Sequence, residues 1–142
     1  MNNEDYVSYE LALKLKACGF DEPCDYGYSV KMRLEPEVSF GKPKTVHSKD
    51  PKNYNDNRKG IEKGLSFCSA PTLWQAQKWL REKGIAVSVQ ANEIQGELWY
   101  SADIITTKGI NELVDGGFDY MEYEAALSAG IASALELIRK GK

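Results

Sequence analysis

Three cysteines, Cys18, Cys24 and Cys68, and a single histidine, His47, carry the widest chemical repertoire in this chain. Together they could supply the four ligands of a zinc site, yet no two of them have the spacing of about two to four intervening residues that structural zinc motifs use. Cys18 also falls on an apolar helix face, where a thiol packs as a small hydrophobe. A cysteine nucleophile would need His47 beside it and a third group to orient the imidazole. His47 lies in a polar, basic segment, where a solvated histidine is the simpler reading. A G-x-S-x-G turn, a P-loop and a dinucleotide fingerprint are all missing from the sequence. No metal, cofactor or catalytic residue is therefore assigned, and a small hydrolase ranks third among the functional readings.

The acids Asp115, Asp119, Glu122 and Glu124 cluster before and at the start of the last helix, where the macrodipole favours negative charge. That accounts for them without a paired-carboxylate hydrolase or a divalent metal, and the segment has no EF-hand pattern. Charge is nevertheless unevenly placed. The net charge is −3, but residues 41–64 carry a local +4 and residues 91–125 a local −7. Lys42, Lys44, Lys49, Lys52, Arg58 and Lys59 of the basic stretch are the candidate phosphate contacts should the partner be a nucleic acid.

The elements that must position these residues are clearest around residues 69–90. Pro71 suits a first helical turn, and Thr72 with Gln75 has the spacing of a capping box. At 100° per residue, Leu73, Ala76, Trp79 and Leu80 share one arc, while Trp74, Lys78, Arg81 and Glu82 share another. A helix is expected over 72–83, closed by Gly84. Ile85, Val87 and Val89 then alternate with Ala86, Ser88 and Gln90, the period of a half-buried strand. Trp79 belongs to the core face. An indole on the charged arc is harder to explain by folding, so Trp74, Lys78 and Arg81 are the candidate protein-binding surface.

Elsewhere, Ser8 is a plausible N-cap for a first helix presenting Leu11, Leu15 and Cys18 and ending at Gly19. Tyr26 to Leu34 reads as a strand that Pro36 ends. From about 35 to 66 the pattern dissolves into Gly, Pro, Asn, Asp and Lys, and a long polar loop is expected. A turn in Asn92–Gly96 joins the strand from Ile85 to a second one carrying Leu98, Tyr100, Ala102 and Ile104, an antiparallel hairpin. After a polar connection over 109–119, a last helix from about Met121 presents Tyr123, Leu127, Ile131, Ala134 and Ile138. Its small-residue ridge, Ala126, Gly130 and Ala134, suits close packing on the sheet, with a homodimer seam as the alternative.

The expected order is α-β-(long loop)-α-β-β-α: an α+β two-layer sandwich of about three antiparallel strands and three helices. At 142 residues, with 42% hydrophobic, 11% aromatic and 27% charged residues, the chain has the length and composition of a single globular domain, 1–142. MNNEDYVSYE lacks the basic and apolar parts of a secretory signal, and no run of about twenty apolar residues is present. A cytoplasmic protein with reduced thiols and no membrane association is the expectation.

The blocks GFDEPC, SAPTLWQAQKWLREKGI and YEAALSAGIASALELI resemble small uncharacterised proteins of gut Bacteroidales, their prophages and mobile elements. That family has no established function. The resemblance implies a compact accessory protein and carries no catalytic residue across. The expected function is a non-catalytic, macromolecule-binding accessory of a bacterial or mobile-element system, with a protein as partner. The alternative is nucleic-acid binding through the basic loop 41–64 and helix 72–83, because helix, strand, turn, strand is also the order of a winged helix. A winged helix, however, places two helices directly before its recognition helix, where this chain has its polar segment.

Overall fold

The computed structural model describes residues 4–32, 39–56 and 64–141. Among these the chain holds three α-helices and six strands in two antiparallel sheets, an α+β fold, and forms two compact units.

The first unit, Tyr6–Pro71, contains α1 (Tyr9–Ala17), β1 (Cys24–Met32), β2 (Ser39–Lys52) and β3 (Leu65–Ser69). Ser8 caps α1 as its spacing predicts: its Oγ accepts the Leu11 N–H at 3.2 Å, satisfying one of the unpaired donors of the first turn. Leu11, Ala12 and Leu15 are buried, and Cys18 is half-buried at the helix end. The sheet order is β2-β1-β3, with β1 in the centre. Tyr28 faces Thr45 on one side and Cys68 on the other. Asn55 ties the far side of the unit together, donating to the Phe20 carbonyl at 2.7 Å and accepting the Ser69 N–H at 2.9 Å.

The polar stretch read as a loop over 35–66 is, in its described part, mostly sheet. Residues Ser39–Lys52 form β2, and Leu65–Ser69 form β3. Lysine and proline made β2 resemble a loop, but both suit an edge strand, whose outer backbone groups have no neighbour to bond. Pro43 and Pro51 each fall within a break in the β1–β2 register, between the Ser29/Lys31 and Cys24/Tyr26 pairings respectively. A missing N–H costs no ladder bond there. At five residues, β3 is too short to show a period.

The second unit contains α2 (Leu73–Glu82), β4 (Ile85–Ile94), β5 (Glu97–Thr106), β6 (Asn111–Leu113) and α3 (Tyr123–Lys140). β4 and β5 form the expected hairpin, paired without a slip from Ile85↔Thr106 to Ile94↔Glu97. Its turn residues Gln95 and Gly96 take positive φ, 51° and 83°, as primed hairpin turns require. The polar connection contains β6, paired antiparallel to β5, so the sheet gains a third strand that three exposed residues could not announce. Beyond it, Tyr120 and Tyr100 exchange backbone hydrogen bonds of 2.6 and 2.8 Å, tying the approach to α3 onto the sheet.

Helix α3 packs across β4 and β5, and α2 packs beside β4 and against α3. The core is built from Leu73, Ala76, Trp79 and Leu80 of α2, Val87, Ala102 and Ile104 of the hairpin, and Ala126, Leu127, Ile131 and Ala134 of α3. The ridge Ala126, Gly130, Ala134 is fully buried, with Gly130 set against Val87 and Ala102. Among the described residues no helix is long and apolar enough to cross a membrane.

Candidate functional site

Helix α2 is fixed at both ends by local chemistry. Thr72 Oγ1 accepts the Gln75 N–H at 3.0 Å, and the Leu73 N–H donates to the Asp5 carbonyl at 2.9 Å. At the other end Gly84 takes a φ of 86°, a left-handed conformation that turns the chain directly into β4. Gln77 secures the side of the helix, its Nε2 donating to the Val87 carbonyl at 2.9 Å. The rotation of α2 about its axis is therefore set, and with it the face it presents.

On that face Trp74, Lys78 and Arg81 are all exposed. Trp74 keeps 44% of its surface in solvent, whereas Trp79, five residues on, keeps 5%. The spacings of four and three residues place the indole, the ammonium and the guanidinium along one side of the helix. Lys83 has a different role: its Nζ lies 4.7 Å from the centroid of the buried Trp79 ring, closing the core rather than extending the exposed face.

The other sequence candidates occupy different places. Lys42, Lys44, Lys49 and Lys52 are exposed along edge strand β2, and Lys52 Nζ rests 4.8 Å from the Tyr54 ring centroid. Arg58 and Lys59 lie outside the described residues. α2 follows strand β3 rather than a pair of helices, so the helical part of a winged-helix arrangement is not what precedes it.

His47 is exposed on β2, opposite Tyr26, and its ring stacks on the Tyr26 ring at 4.6 Å and 36°. Tyr6 meets the same tyrosine edge-on at 5.1 Å. The histidine therefore belongs to a strand and an aromatic row, not to a loop. None of the three cysteines is part of a disulfide. Cys24 donates to the Glu22 carbonyl at 3.4 Å. Burial pushes the Cys68 thiol up to about 11, against the opposing pull of the Lys16 charge and a backbone hydrogen bond from Tyr28. A thiol held protonated is a poor nucleophile. Among the described residues no three His, Cys, Asp or Glu side chains come together as a metal site would require.

Two of the acids before α3, Asp115 and Asp119, accept side-chain hydrogen bonds. Asp119 Oδ1 accepts from Asn92 Nδ2 at 2.8 Å. The Tyr120 hydroxyl donates to Asp115, and desolvation together with the Asp115 carboxylate raises that phenol to about 12. Around them the unit exposes Leu98, Leu113, Phe118 and Met121, each more than half in solvent. Sequence reasoning missed these residues. Their signal was present in Leu98, which is apolar beside a hairpin turn, and in Phe118 and Met121, which are apolar in an otherwise polar connection.

Comparison with known proteins yields no matching family model, no matching curated protein and no matching solved structure.

Proposed function

We propose that the chain is a non-catalytic binding protein that recognises a protein partner through Trp74, Lys78 and Arg81, as a cytoplasmic accessory of a bacterial or mobile-element system. The observation that carries this reading is the 44% exposure of Trp74 on a helix whose opposite face is buried. Tryptophan and arginine dominate the energetics of protein interfaces because they combine a large apolar area with a polar handle. An indole at one end of a row that continues with two cations fits a surface with an apolar pocket beside acidic groups. The raised Cys68 thiol and the stacked His47 offer no nucleophile and base pair that would favour an enzyme.

A second reading, nucleic-acid binding, draws on the four exposed lysines of β2. The two separate in one experiment. The full-length protein is immobilised and presented with lysate of its host, in parallel with Trp74→Ala, with Lys78→Glu/Arg81→Glu, and with Lys42, Lys44, Lys49 and Lys52 changed to Glu. Protein binding predicts a captured species that both α2 variants lose and the β2 variant keeps. Retention of DNA or RNA that declines steeply with salt, disappears in the β2 variant and survives Trp74→Ala would replace the first reading with the second.

A further inference from the structure

Where α3 ends, the second unit encloses a cavity of about 430 Å³, open on one side to solvent. Its aliphatic lining is Ile85 at the start of β4, Ile110 before β6, and Leu137 and Ile138 in the last turns of α3. Lys83, Lys108 and Lys140 also line it, and no Asp or Glu does among the described residues. None of Trp74, Lys78 and Arg81 takes part, so the cavity is separate from the α2 surface.

Two features mark it as a preformed site. The first is rigidity of the walls. The Thr107 N–H donates to the Gly84 carbonyl at 3.0 Å, clamping the α2–β4 turn to the β5–β6 turn. Thr106 Oγ1 accepts the Ile110 N–H at 3.2 Å, and the Thr106 N–H donates to the Ile110 carbonyl at 2.9 Å, so the β5–β6 turn is itself braced. A volume of 430 Å³ falls within the range of about 300–1,000 Å³ typical of small-molecule sites.

The second feature is uncompensated charge beside an aliphatic lining. The carbonyl end of α3 carries roughly half a negative charge, which answers part of one lysine. Lys83 is engaged with the Trp79 ring. Lys108 and Lys140 are exposed and form no ion pair among the described residues. An occupant complementary to this arrangement has a hydrocarbon body and a single anionic head. We propose that the cavity binds a free single-chain anionic amphiphile, an acyl chain ending in a carboxylate, with the chain on Ile85, Ile110, Leu137 and Ile138 and the head between Lys108 and Lys140.

The test uses the full-length protein and dodecanoate, titrated below its micellar range and followed by amide chemical shifts. Dodecyltrimethylammonium serves as the probe with the same chain and the opposite head. The expected result is one-site saturation by dodecanoate, with shifts confined to 83–85, 106–110 and 137–141. The cationic probe should bind at least about tenfold more weakly, the loss expected when one charge-assisted contact is missing. Lys108→Glu, on an exposed turn, should weaken dodecanoate by a similar factor with an unchanged melting temperature. Ile110→Trp, which fills the cavity from a partly exposed position, should weaken both probes.

Equal binding of the two head groups would overturn the proposal, as would shifts centred on α2, non-saturating uptake, or a Lys108→Glu variant that binds like the wild type. Co-sedimentation with vesicles of anionic phospholipid, without binding of free dodecanoate, would assign the lysines to a membrane surface and overturn it equally.

Discussion

Gly130 of α3 and Val87 of β4 meet with no room for a methyl group between them: a Cβ on Gly130 would overlap Cγ1 of Val87 and stand 3.4 Å from the Ala102 Cβ. Helix propensity favours alanine over glycine by about 1 kcal/mol, but overpacking a filled core costs about 1–3 kcal/mol. Gly130→Ala should therefore destabilise the protein despite the better helix former. A fall in melting temperature on the order of 5 °C is expected. Val87→Ala vacates the space the new methyl needs, so the double variant should lose less than the two single variants together. A Gly130→Ala protein more stable than the wild type would show that α3 does not sit this close to the sheet.

The two tryptophans of α2 give the sharpest contrast within one element. Trp79→Ala removes a ring that is 5% exposed and should cost about 3–5 kcal/mol. Trp74→Ala should stay within about 0.5 kcal/mol, the usual range for a surface change. Urea midpoints compare them directly. Acrylamide quenching offers an independent check: Trp74→Phe should remove the most accessible part of the emission, and Trp79→Phe should leave it in place.

How much of this could be read in advance follows from where each signal resides. Helix α2 and strand β4 were legible because their information is local: Thr72, Gly84 and an uninterrupted period place the buried and exposed arcs without reference to the rest of the chain. The same period identified Trp74 as the exposed indole. β2 was not legible, because an edge strand is written in the residues that also write loops, and its prolines lie where the register breaks. His47 changed role with it, since its stacking on Tyr26 depends on a pairing between distant segments. The aliphatic cavity was invisible for a related reason. It is assembled from two turns and a helix end that lie far apart in the chain, and no spacing along the sequence relates Lys108 to Lys140.

The edge character of β2 has a consequence for solubility. Lys42, Lys44 and Lys49, with Pro43 and Pro51, keep a second strand from adding to its open side. A variant carrying Lys44→Val, Lys49→Val, Pro43→Val and Pro51→Val should present a longer, flatter and more apolar edge. Light scattering should show its apparent mass rising with concentration well beyond that of the wild type. The lysine changes alone should produce a smaller rise, because the prolines still interrupt the strand. No difference from the wild type would mean that the outer side of β2 is covered.

The Cys68 thiol couples folding to alkaline pH. In the folded chain it is pushed from the ordinary value of 9.0 up to about 11, chiefly by burial. Between these two values the unfolded chain has lost the proton and the folded chain still holds it, so raising the pH favours unfolding. The contribution is fully present below about pH 9 and is lost as pH rises towards 11. A rise of that size corresponds to on the order of 2–3 kcal/mol. Burial also raises Tyr28 and Tyr9 above 10.0, which adds to the loss in the same direction. Cys68→Ala should flatten the decline in urea midpoint between pH 9 and 11, leaving only the tyrosine part. Thiol labelling at pH 8 tests the same burial without denaturant: the half-buried Cys18 should react first, and Cys68 only at the rate at which the first unit opens. Labelling of Cys68 as fast as that of Cys18 would contradict both its protonation and its burial on β3.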